Sequence, residues 1–138
     1  MSIPTQTPSL KRLPNGFTRP MRMLKSPEFD RAFQGGSRAR ADHLLVVCVE
    51  ARFGHTRLGL SVGKRIFKQA KDRNRLKRCL REAFRLSYGS LPEGVDLVIV
   101  PAKVGAAPSV EQACKELVYL ANKAQKRLLE KRAKEEPE

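Results

Sequence analysis

"KDRNRLKRCLREAFR", residues 71–85, carries seven basic residues and two acidic ones, yet spaces Leu76, Cys79, Leu80, Ala83 and Phe84 at helical intervals. On a wheel of about 100° per residue, Arg81 and Arg85 fall within about 20° of Asn74, with Arg78 near 40°, Lys71 near 60° and Lys77 near −60°. The apolar residues collect on the other side. The stretch therefore predicts an amphipathic helix with one face for a protein core and one cationic face for something else. Between 64 and 85 ten Lys or Arg face two acids, so more than half of the chain's formal net charge of +14 lies in this segment. A solvated charged face normally interleaves acids for i,i+4 pairing. Here such acids are nearly missing, and a polyanion that neutralises the stripe is the better account. Arginine dominates, and its planar fork suits phosphate oxygens and also stacks on bases.

Working outward, "TRLGLSV" at 56–62 before the helix and "VDLVIVPA" after it read as strands, as does "HLLVVCVEARF" at 43–53, with Gly54 and His55 in the turn between neighbours. A shorter strand near 37–41 is a weaker expectation. "SPEFDRAFQGG" opens a first helix with Ser26 and Pro27, aligns Phe29, Ala32 and Phe33 on one face, and stops at Gly35 and Gly36. Pro108 and Ser109, with Gln112 placed for a capping box, open a last helix striped by Val110, Ala113, Cys114, Leu117, Val118, Ala121, Ala124 and Leu128. "EKRAKEEPE" reads as a fraying end. The order is helix, two or three strands, basic helix, strand, helix, an α+β chain with one sheet. Residues 1–20 hold four of the nine prolines and read as a flexible arm, 21–131 as the folded domain and 132–138 as a charged tail.

The remaining features narrow the chemistry. With 138 residues and 41% hydrophobic content, the chain suits one domain. Its apolar runs fall short of a membrane span, and its amino terminus lacks a signal-peptide core. Cys48, Cys79 and Cys114 are odd in number and widely spaced, which fits a reducing, cytoplasmic setting. "GLSVGKR" at 59–65 has three residues between its glycines and Arg65 where a phosphate loop needs Ser or Thr. His43 and His55 lack partners at metal or triad spacing. No set of residues equips a protein-only nuclease, so no catalytic or metal-ligating residue is expected.

The basic stretch resembles the signature of the bacterial ribonuclease P protein family, R-N-x-x-K-R-x-x-R-E-x-x-R. Arg73, Asn74, Lys77, Arg78, Arg81, Glu82 and Arg85 fill every specified place. "LGLSVGKR", "VDLVIVPAK" and "SPEFDRAFQGG" match its neighbouring elements, so the resemblance spans roughly residues 22–130. The chain departs in the turn before the signature, which carries Lys68 and Lys71 and is one residue longer than in many relatives. It also departs near Val47, where relatives often carry an aromatic residue.

The resemblance implies a small two-layer α/β sandwich of about four strands and three helices, with a left-handed βαβ crossover. It implies a protein subunit that helps a catalytic RNA, with Mg²⁺ bound mainly through RNA, remove the 5′ leader of precursor tRNA. Its partners would be ribonuclease P RNA and precursor tRNA, with no membrane and no obligate protein partner. By resemblance Lys64, Arg65, Arg73, Asn74, Arg75, Lys77, Arg78, Arg81 and Arg85 would meet the catalytic RNA, and Lys71 joins them on the wheel. Phe29 and Phe33 would line a leader cleft, or form a first-helix core pair, or divide the two roles. The rivals are a structural RNA-binding protein such as a ribosomal one, and a DNA-binding protein using the same helix.

Overall fold

The structure is a computed structural model that describes residues 26–51 and 55–135. The expected N-terminal arm and Gly54 of the expected turn lie outside the described residues. Helix α1 (Ser26–Gly35) leads to strand β1 (Ser37–Arg40), which pairs with β2 (Leu44–Glu50). Strand β3 (Arg57–Leu60), helix α2 (Ala70–Ser87), a 3₁₀ turn (Tyr88–Ser90), strand β4 (Val95–Pro101) and helix α3 (Val110–Glu135) follow. The sheet order is β1-β2-β4-β3. β2 is antiparallel to both β1 and β4, whereas β3 and β4 run parallel and are joined through α2.

The two central strands explain the layering. β2 and β4 read as nearly continuous apolar runs, the pattern of strands covered on both faces. Val46, Cys48, Leu97 and Ile99 point into the main core with Leu76, Leu80, Ala83 and Phe84 of α2 and Leu117, Leu120, Ala121 and Ala124 of α3. Val47, Val49 and Val98 point the other way and pack under Ala32 of α1. Thus α2 and α3 form one helical layer on the sheet, and α1 crosses the opposite face. The apolar stripe at 76–84 does what its spacing predicts, except that Cys79 is half-buried. Burial pushes the Cys48 thiol up to about 12, with Asp96 adding a smaller push, so Cys48 is a neutral core side chain.

Both ends of α3 are instructive. Ser109 N–H donates to Gln112 Oε1 and Gln112 N–H to Ser109 Oγ, each at 3.1 Å, completing the expected capping box. The helix does not fray at residue 130 but runs to Glu135. Its last turns are rich in Glu, Lys, Arg, Leu and Ala, all strong helix formers, and Arg132 pairs with Glu50.

Gly36 sets how closely α1 meets the sheet. A Cβ there would lie 2.5 Å from the Ala32 carbonyl oxygen and 2.8 Å from both the Cys48 carbonyl oxygen and Val47 Cγ1. Two of those atoms are backbone and cannot move cheaply. Gly36→Ala should therefore cost about 1–3 kcal/mol and lift the end of α1 from the sheet. Urea unfolding of the two proteins measures this, and equal midpoints would show that the contact yields without strain.

Candidate nucleic-acid interface

The packing of α2 aims its charges. Leu76, Leu80, Ala83 and Phe84 are buried against the sheet and α3, so the opposite side must face solvent. Lys71, Asn74, Arg75 and Arg78 are exposed there, and Lys77, Arg81 and Arg85 are partly so. Asp72 in the first turn and Arg85 in the last complement the helix dipole. Arg85 also grips Glu82 through two hydrogen bonds of 3.0 and 2.6 Å. Those bonds hold the Glu82 carboxyl below its ordinary range, so Glu82 remains an anion that offsets one cation of the stripe.

Arg73 behaves differently from its neighbours. Its guanidinium turns back and donates to the carbonyl oxygens of Phe67 and Lys68, both at 2.9 Å. It thereby ties the turn after β3 to the start of α2. Lys64 and Arg65 stand exposed on that turn. The turn is anchored by buried Ile66, whose carbonyl accepts from Gly105 N–H at 2.9 Å. The structure thus brings Lys64, Arg65, Lys71, Asn74, Arg75 and Arg78 outward together and gives Arg73 a bracing contact.

A second surface lies where α1 crosses the sheet. Phe29 and Phe33 are both half-buried against the small cluster of Ala32, Val47, Val49 and Val98. Each has one side in packing and one at the rim, while Val47 is fully covered and offers no face for stacking. Arg38 sits over the Phe33 ring, 5.8 Å from its centroid, and donates to the Phe33 carbonyl at 3.1 Å. Arg40, two residues along the same edge strand, is likewise exposed and donates to the Ala102 carbonyl at 3.3 Å. Sequence reading did not single out these two arginines. The alternation Ser-Arg-Ala-Arg, with Ser37 and Ala39 buried, was the available signal.

Beneath α1 lies a buried ionic cluster that was also missed. Arg57 donates to both Asp96 carboxylate oxygens, through Nε at 2.9 Å and Nη2 at 2.8 Å, and through Nη1 to Glu28 Oε2 at 2.8 Å. Arg31 approaches Asp96 at 4.0 Å. The hydrogen bonds that Arg57 donates to Asp96, and then the one to Glu28, hold it firmly in its charged form against desolvation. α1, β3 and β4 each contribute, so the cluster fixes the seat of α1. Its sequence signals were an arginine in the alternating β3 and an acid inside an apolar β4. His43 also has a carboxylate partner, Glu116, with 2.7 Å between Nδ1 and Oε2, supplied by α3 from far along the chain.

These features define a class: a small α/β protein that turns a strongly cationic helix face to solvent. The sequence model of the Ribonuclease P family matches residues 17–125. The chain is 38% identical over 91 residues to the ribonuclease P protein component of Legionella pneumophila strain Corby, covering 66% of this chain and 76% of that one. With the component of Pasteurella multocida it shares 43% over 89 residues, 64% of this chain and 73% of the relative. The solved Staphylococcus aureus RNase P protein matches the fold with a TM-score of 0.66 at 24% identity, covering 76% of this chain and 95% of that one. That from Thermotoga maritima matches with a TM-score of 0.56 at 25% identity, over 80% and 96% of the two chains. The chain belongs to the ribonuclease P protein family.

Proposed function

We propose that this chain binds the RNA subunit of ribonuclease P through the outward cations of α2 and the Lys64–Arg65 turn. The 5′ leader of precursor tRNA would lie along the groove between α1 and the sheet. Family membership makes the chain a subunit of the tRNA 5′-processing holoenzyme. The observation that carries the reading is the face of α2, where exposed Lys71, Asn74, Arg75 and Arg78 stand opposite the buried Leu76, Leu80, Ala83 and Phe84. Cations there offset phosphate repulsion where two RNAs approach closely, and release counterions as they bind.

A leader varies in sequence, so its groove needs tolerant contacts. The rims of Phe29 and Phe33, with an aromatic face and nearby arginines, suit single-stranded RNA for that reason. Among the described residues no group of three or more His, Cys, Asp or Glu could hold a metal ion. In this reading Mg²⁺ is held mainly through RNA, with bond cleavage performed there, while this chain binds and positions. The setting would be the cytoplasm, and among the described residues no helix is long and apolar enough to cross a membrane.

The test is cleavage of precursor tRNA by the cognate catalytic RNA at low Mg²⁺, with and without the protein. Strong stimulation with no cleavage by protein alone is expected. Tight RNA binding without stimulation would instead mark a structural RNA-binding protein. Precursors with long and trimmed leaders test the groove, since equal gains for both would remove the leader from it.

A further inference from the structure

A cavity of about 300 Å³ opens where the start of α2 meets the loop between β4 and α3. Phe67, Leu76, Ala107 and Pro108 supply apolar walls, while Asp72 and Arg75 are its charged side chains. Cys79 also lines it, but its thiol is directed at the Pro108 carbonyl, 3.4 Å away. The pocket lies on the flank of the cationic stripe, because Arg75 belongs to both. A half-open, aromatic-walled hollow beside a phosphate-binding face has the form of a receptor for one unstacked base.

We infer that this pocket receives a single guanine of the bound RNA, with the Asp72 carboxylate reading its Watson–Crick edge. The inference rests on α2 being the RNA-contacting face. A carboxylate can only accept hydrogen bonds, and guanine offers it two adjacent donors, N1–H and the N2 amino group. Uracil offers one ring N–H, and adenine and cytosine one amino group, so a paired contact selects guanine. Of the lining residues, Phe67 and Arg75 carry the flat groups that would stack on the ring, and Arg75 also belongs to the stripe that would meet the adjoining phosphates. Asp72 is thereby given a task beyond favouring the helix dipole. It is one of two acids between 64 and 85, and the other, Glu82, is already engaged by Arg85.

The experiment measures binding of the full chain to labelled single-stranded RNA pentamers at low salt by fluorescence anisotropy. UUGUU should bind about tenfold more tightly than UUUUU or UUAUU. Replacing guanine by inosine, which lacks the N2 amino group, should abolish most of that preference. Asp72→Asn should erase the preference while leaving UUUUU binding in place. Ala107→Phe, which fills the cavity without changing a charge, should do the same and serves if the first variant folds poorly. Equal affinity for all pentamers, inosine equal to guanine, or a guanine preference that survives in both variants would overturn the inference. If no pentamer binds but the protein still stimulates precursor tRNA cleavage, the pocket assignment fails and the wider RNA-contact reading stands. If stimulation is absent as well, that wider reading fails with it.

Discussion

Replacing Asp96 with alanine should cost about 3–5 kcal/mol of folding stability, because it leaves the Arg57 guanidinium buried without its main partner. Asp96 is 1% exposed and the Arg57 side chain 7%, so water cannot substitute for the lost carboxylate. Glu28 would still hold one guanidinium nitrogen, but Nε and Nη2 would lose their acceptors. For a domain with a typical total of about 5–15 kcal/mol, that loss removes a large share. Urea unfolding of the full chain measures it, and a loss below about 1 kcal/mol would show the ionic cluster to be dispensable. Replacing both partners by apolar residues, Arg57→Met with Asp96→Leu, should cost much less, since the two buried charges go together and only Glu28, whose side chain is 23% exposed, loses a bond. That contrast separates the cost of an orphaned ion from the worth of the pair. Both variants loosen the seat of α1, the single one through the Arg31–Asp96 approach and the double one through the Arg57–Glu28 bond as well, so both should reduce any protein-dependent advantage of long leaders.

The second large effect concerns binding. Arg78→Ala combined with Arg81→Ala should weaken affinity for the catalytic RNA by about ten- to a hundredfold and lower the slope of log affinity against log salt by about 2. In the proposed interface each arginine removed would take one phosphate contact and its displaced counterions out of the complex. Arg78 is exposed on the outer face and packs into no core cluster, so Arg78→Ala alone should move the unfolding midpoint little. Titrations across a salt series give the slope directly. An unchanged slope with the affinity reduced would mean that the two side chains act on the protein's shape and touch no phosphate.

How much was legible beforehand differs from element to element. The helices at 71–87 and 110–128 announced their buried faces through a 3.6-residue period, and Leu76, Leu80, Ala83, Phe84, Leu117 and Ala124 are all in the core. Leu120, completely buried, was not on the expected stripe. β1 was a weak expectation because four residues carry little pattern, and its pairing to β2 supplies the stability that its own sequence lacks. The family resemblance alone would make Arg73 one more cation facing the RNA. Its turn toward Phe67 and Lys68 depends on the path of the preceding loop, which no periodicity encodes.

Local patterns along the chain therefore determined the secondary elements, the cationic face of α2, the capping of α3 and the family signature. Each depends on neighbours within a few residues, where backbone geometry dictates which side chains share a face. Only the tertiary structure decided that α1 crosses the sheet opposite α2 and α3. It alone joined Glu28, Arg57 and Asp96, set Arg38 against Phe33, and closed the pocket over Asp72. Those arrangements depend on strand order and register between segments far apart in the chain. The residues that meet there are chosen by packing two covered sheet faces, not by any spacing written along one segment.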